Sequence, residues 1–186
     1  MCYNCAVPKL WAVVQGIGAH REKTEVLELS RYLHQVHWAV VLYGSLLTIL
    51  AVLGSRKLNI VLLPLYFTFI VYMTLMYREI GIGKLNLTLF WSYRLFKTSP
   101  GLRLEILNNI WLFIPLGAIL YRLIPKWYVV FVPILISIMI EGFQFFLSVG
   151  LCELDDVVSN GLGGLIGIQV CLWIRSRMDH RAGIGT

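Results

Sequence analysis

Apolar residues fall into five blocks along the chain, each closed by charge or by turn residues: about His37 to Gly54, Leu58 to Tyr77, Leu104 to Ile124, Trp127 to Val149, and Val157 to Trp173. Each block is near the ~20 residues that a helix needs to cross about 30 Å of hydrocarbon. The pattern therefore predicts an all-α, polytopic transmembrane bundle of about five spans. Pro64 lies inside the second block, and Pro115 and Gly117 inside the third. Membrane helices tolerate such residues where neighbours satisfy the freed carbonyl, and mid-span they predict a kink or close packing. Before the first block, Thr24 to Trp38 mixes charged and aliphatic residues in helical rhythm, which predicts an interfacial helix. The organisation is thus an N-terminal interfacial segment over 1–36, a bundle over 37–175 and a C-terminal tail over 176–186.

The long connection over 79–105 is not hydrophilic. It interleaves Leu85, Leu87, Leu89, Phe90, Trp91, Tyr93 and Phe96 with Lys84, Arg94, Lys97 and Arg103. Such a mixture suits a membrane interface, with aromatic rings at headgroup level and cations reaching water. Ser99, Pro100 and Gly101 mark a turn before the next helix. With five spans, the connections 78–104 and 150–156 fall on one side of the membrane. Arg78, Asn108 and Asn109 then share a pole with the acidic turn.

The polar residues of the last two spans concentrate near that turn. Glu141 and Gln144 are three apart and share a helix face, which Ser137 and Ser148 extend by a turn either way. Asp155 and Asp156 open the following segment. Asp156, Asn160, Gly163, Gly164 and Gly167 then recur at helical spacing as one small and polar stripe. A mid-helix carboxylate costs about 2.5–3.5 kcal/mol on insertion scales, so Glu141 needs a partner, a proton or a wet cavity. Gln144, Asn109 and Asn160 read equally as interhelical amide glue, and Gly163, Gly164 and Gly167 as a close-packing face.

Composition settles the medium. Hydrophobic residues make up 58% of the chain and charged residues 14%, with mean hydropathy +0.75, against roughly 45–50% and ~25% in a soluble domain. The net charge of +6 sits between apolar blocks, where loops meet headgroups, and implies no nucleic acid. Cys2 and Cys5 are the one close pair among four cysteines, a weak metal or redox signal without a second pair. His34 and His37 read as residues of a headgroup boundary. No glycine-serine-x-glycine elbow, H-E-x-x-H or phosphate-binding loop is present. Asp155 and Asp156, with Glu141, have the oxygen ligands for a divalent cation such as Mg²⁺, whereas Zn²⁺ is disfavoured without nearby histidines.

The series Thr74 and Arg78, LNLTLF at 85–90, NIWLFIPLG at 109–117, IEGFQ at 140–144, ELDDVVSN at 153–160 and GLGGLIG at 161–167 resembles the VanZ-like family of bacterial membrane proteins in order and spacing. The resemblance covers about 74–168. It implies a small multi-pass protein of the bacterial cytoplasmic membrane, in a family whose founding member is associated with reduced susceptibility to teicoplanin, and it carries no established reaction. By position, Arg78, Asn109, Glu141, Gln144, Asp155, Asp156 and Asn160 match the family's polar motif residues. Leu89 stands where the family usually has proline.

Three functions fit these observations: binding of a lipid-linked or glycopeptide-type ligand at the polar pole, an enzyme acting on a phosphate-bearing lipid, and a proton-coupled transporter using Glu141. An anionic, lipid-linked cell-wall intermediate is the expected ligand, held by Arg78 with Lys84 and Arg94. The short basic loops, Arg56-Lys57, Arg122 to Lys126 and Arg175 to Arg177, all lie away from the acidic turn. By the positive-inside rule, the turn over 150–156 is then extracytoplasmic.

Overall fold

The structure is a computed structural model that describes residue 38, residues 41–76 and residues 84–183. The chain divides into two compact units, Met1–Ala39 and Val40–Thr186, and the second holds the bundle. Its elements are helices α1 (Val41–Leu53), α2 (Arg56–Met76), α3 (Trp91–Arg94), α4 (Pro100–Leu123), α5 (Phe131–Phe146) and α6 (Leu154–Gly183). Two short strands, β1 (Lys84–Asn86) and β2 (Leu151–Glu153), lie in the connections.

Four helical stretches are long and apolar enough to cross a membrane: Arg56–Leu75, Pro100–Leu123, Trp127–Phe146 and Leu154–Met178. The shorter apolar helix α1 covers the described part of the first expected span. Pro100 begins α4 just after Ser99, where proline's missing N–H leaves no helical bond unmade. A 3₁₀ turn, Trp127–Val130, leads into α5. α6 continues without a break to Gly183, so the described part of the 176–186 tail is helical.

The central helix is α4. Of its membrane-length window 56% is buried, against 17% for α2, and Phe113, Leu116, Ala118 and Ile119 have no exposed surface. Glycines set how near α6 comes to it. A Cβ at Gly163 would run into the carbonyl of Ile110, one at Gly167 into that of Ile114, and one at Gly117 into the carbonyl of Gly164. The pairs Ile110 with Gly163 and Ile114 with Gly167 advance together, so the two helices run parallel. Gly164 meets α5 instead, where its added Cβ would fall 2.6 Å from Pro133 Cβ.

Hydroxyls and amides pin the rest. Tyr66 of α2 donates to the Leu112 carbonyl of α4 at 2.7 Å, and Asn59 Nδ2 donates to the Ala51 carbonyl at 3.0 Å. Arg122, at the end of α4, donates to the Gly54 carbonyl in the α1–α2 turn at 2.6 Å. Large apolar side chains on the outer faces, including Leu42, Leu46, Leu65, Leu135 and Met139, are more than half exposed. That surface suits lipid contact, since hydrocarbon imposes no penalty on exposed leucine.

β1 and β2 pair in parallel, Lys84 beside Leu151, Leu85 beside Cys152 and Asn86 beside Glu153. This pairing brings the long connection and the acidic turn to the same end of the bundle. Ser148 differs from its expected place. α5 stops at Phe146 and Ser148 adopts a left-handed conformation, φ 55°, so it closes the helix rather than prolonging the face of Glu141. The Val149 N–H reaches back to the Gln144 carbonyl at 2.9 Å and the Ser148 N–H to the Phe145 carbonyl at 3.2 Å, the pairing of a Schellman closure.

Candidate functional site

Helices α5 and α6 deliver buried polar side chains to the pole marked by β1 and β2, and α4 adds the half-buried Asn109. From α5 come Ser137, Glu141 and Gln144, each at most 4% exposed. They recur at spacings of four and three and so form one inward stripe. From the start of α6 come Asp155, Asp156, Ser159 and Asn160, likewise at most 3% exposed. Asn109 lies on α4 next to Ile110, whose carbonyl abuts Gly163.

The two best-defined carboxylates hold backbone. Asp155 Oδ1 accepts the Phe90 N–H at 2.5 Å, while Oδ2 accepts the Ser92 N–H at 2.9 Å and the Ser92 hydroxyl at 2.6 Å. Asp155 thereby caps α3 from another element and satisfies donors that a helix start leaves unpaired. It also holds Phe90 in a left-handed conformation, φ 61°. Tyr93 and Ser159 share a hydrogen bond of 2.8 Å, and Ser159 Oγ donates to the Asp155 carbonyl at 2.9 Å. Burial pushes the Tyr93 hydroxyl pKa up, the bond to Ser159 opposes this, and Asp155 and Asp156 add to the rise.

Glu141 Oε2 accepts the Glu153 N–H at 2.9 Å, one residue before α6 begins. A negative charge is favoured at a helix N-terminus, and this bond ties α5 to the start of α6. The Cys152 thiol is pushed above its ordinary pKa, first by burial and then by Glu141, Asp156 and Glu153.

Deeper, Asn160 Nδ2 donates to Ser137 Oγ at 2.8 Å and Gln144 Nε2 to the Thr74 carbonyl at 2.9 Å. Their carbonyl oxygens, Asn160 Oδ1 and Gln144 Oε1, are buried without a hydrogen-bond partner among the described residues, as is Asn109 Nδ2. Such atoms cost about 1–3 kcal/mol each unless a water or ligand meets them.

A groove of about 310 Å³ opens beside this cluster, lined by Leu85 and Leu87, by Ile138, Glu141, Gly142, Phe145 and Phe146 of α5, and by Cys152, Glu153, Leu154 and Val157. Its surface is almost wholly apolar, with Glu141 and Glu153 in the wall. Gly142 has nothing within 4 Å of where a Cβ would stand. A mid-helix glycine costs about 1 kcal/mol relative to alanine, and packing does not explain this one, unlike Gly163 and Gly167. Its effect is to leave the groove floor open.

Arg78 lies outside the described residues, as do Cys2, Cys5, His34 and His37. Both oxygens of Asp155 are engaged by protein donors, so a divalent cation at Asp155 and Asp156 would compete with three hydrogen bonds. Among the described residues no group of three or more His, Cys, Asp or Glu is arranged to hold a metal. Ser92, Tyr93, Glu153 and Gly142 were not singled out by their spacing. Ser159 had a signal, because it stands four residues after Asp155 on the same helix face.

The sequence profile of the VanZ/LLP1 family matches residues 31–175. Protein VanZ of Enterococcus faecium is 28% identical over 123 residues, covering 59% of this chain and 70% of that protein. No solved structure matches. The match takes in all the described transmembrane helices up to Arg175, the polar stripe of α5 and the acidic start of α6, and on that ground the chain belongs to the VanZ/LLP1 family of multi-pass membrane proteins.

Proposed function

We propose that the pole binds an amphiphilic, lipid-linked or glycopeptide-type ligand of the bacterial cell envelope and so affects susceptibility to glycopeptides. The observation that carries this reading is the open floor at Gly142 beside the buried carboxylate of Glu141. A hydrocarbon chain fits the apolar groove, and the carboxylates in its wall accept hydrogen bonds from an amine, amide or hydroxyl. Arg78 and Lys84 would serve an anionic portion of the same ligand. The family's association with glycopeptide resistance supports this choice over a phospho-lipid enzyme, and the hydroxyl–carboxylate pair Ser92–Asp155 is buried and ties α3 to the start of α6.

The test uses Glu141→Gln and Gly142→Leu in a host whose teicoplanin susceptibility depends on the protein. Gln keeps an acceptor for the Glu153 N–H but removes the charge, and Leu fills the groove without striking backbone. Both variants are expected at parental abundance, with the susceptibility phenotype largely lost. Loss of folded protein in step with the phenotype would instead give Glu141 a structural role alone. Proton-coupled transport through Glu141 predicts, in addition, a proton-dependent flux in liposomes that Glu141→Gln abolishes.

A further inference from the structure

On another face of the same pole, a second groove of about 480 Å³ lies between the α3 segment and α4, lined by Tyr93, Arg94, Phe96, Lys97, Ile106, Leu107 and Ile110. Its chemistry is the reverse of the groove at Gly142. Arg94 and Lys97 are exposed at its mouth, and no acid lines it among the described residues. Below the cations the wall turns apolar. Ile106 and Ile110 are one helical turn apart on α4, and Ile110 lies roughly 15 Å along the helix from Pro100. Tyr93 is fixed as a rigid side wall by its bond to Ser159.

We propose that this groove is a binding site for an anionic membrane lipid. The phosphate would meet Arg94 and Lys97 at headgroup depth, with a hydrocarbon chain descending past Phe96, Ile106 and Ile110. Arg94 offers two parallel N–H donors to phosphate oxygens and Lys97 a mobile point charge. The order of groups, cations at the interface and aliphatic surface beneath, matches an amphiphile and not a free anion, which would use the rim alone. The aromatic side walls suit the same depth. The site is independent of the groove at Gly142, sharing no lining residue with it.

The experiment is native mass spectrometry of the full-length protein released from nanodiscs of phosphatidylglycerol, phosphatidylcholine or an equal mixture, with inorganic phosphate as a separate arm. The parent is expected to retain phosphatidylglycerol over phosphatidylcholine and to gain no adduct or thermal shift from phosphate. Arg94→Gln with Lys97→Gln should lower retained phosphatidylglycerol about thirtyfold, in line with the contribution of two interfacial cations. Lys126→Gln, which removes an exposed charge at the other end of the bundle, should leave retention unchanged. Ile110→Trp should block the lipid with both cations intact. Equal retention of the two lipids, equal loss in Lys126→Gln, or a phosphate response matching that of the lipid would each overturn the site.

Discussion

Ser148 occupies a conformation that suits glycine, and the chain accepts the cost because the turn it makes carries the acidic segment back to the bundle. A non-glycine residue in the left-handed region costs of order 1 kcal/mol. Ser148→Gly is therefore expected to raise stability in detergent by roughly 0.5–1 kcal/mol, read from thermal denaturation. A decrease would mean that the hydroxyl does more than the turn requires. Spacing alone put Ser148 on the face of Glu141, since nothing in the serine marks a left-handed terminator. Asp155 was hidden in a similar way. Its hydrogen-bond partners are two backbone N–H groups and the Ser92 hydroxyl on a segment 63–65 residues away, which composition cannot reveal.

Among the helices, α5 and α6 give the same substitution opposite signs. Gly142→Ala adds a methyl group to open space and recovers helix propensity, so it should stabilise by about 0.5–1 kcal/mol. Gly167→Ala recovers the same propensity but drives its methyl into the Ile114 carbonyl, with Ala118 N at 2.9 Å. Overpacking of this kind costs about 1–3 kcal/mol, and backbone cannot swing aside as a side chain can. The net effect at Gly167 is expected to be destabilising, seen as a lower melting temperature and poorer recovery from the membrane. If both variants stabilise, the close approach of α4 and α6 is wrong. The spans themselves were legible because hydrocarbon thickness dictates their length. The strand pair was not, for β1 and β2 are three residues each and too short to show alternation.

Across the whole molecule the two ends differ in charge. One end carries Glu141, Glu153, Asp155 and Asp156 together with Lys84, Arg94, Lys97 and Arg103; the other carries only cations in its connections, Arg56, Lys57, Arg122 and Lys126, with exposed Trp127 edge-on to Tyr128 and Phe131. The side-sharing of the two connections could be read from span parity, since any even number of crossings returns the chain to the same face. Which face that is follows only from charge bias. An extracytoplasmic acidic end predicts that an impermeant maleimide labels Cys152 in intact cells when Cys2 and Cys5 are replaced by serine. Cys171 is fully buried and should stay silent. Because burial and the neighbouring carboxylates raise the Cys152 pKa, labelling should be slow at neutral pH and accelerate as pH rises, when thiolate forms. Labelling confined to opened cells would reverse the orientation. The latch between Asp155 and the Phe90–Ser92 backbone also imposes a timetable on biogenesis. The donors leave the ribosome more than sixty residues before their acceptor, so the segment over 84–97 must wait at the membrane surface through the insertion of two further helices, and the pole can close only when α6 arrives.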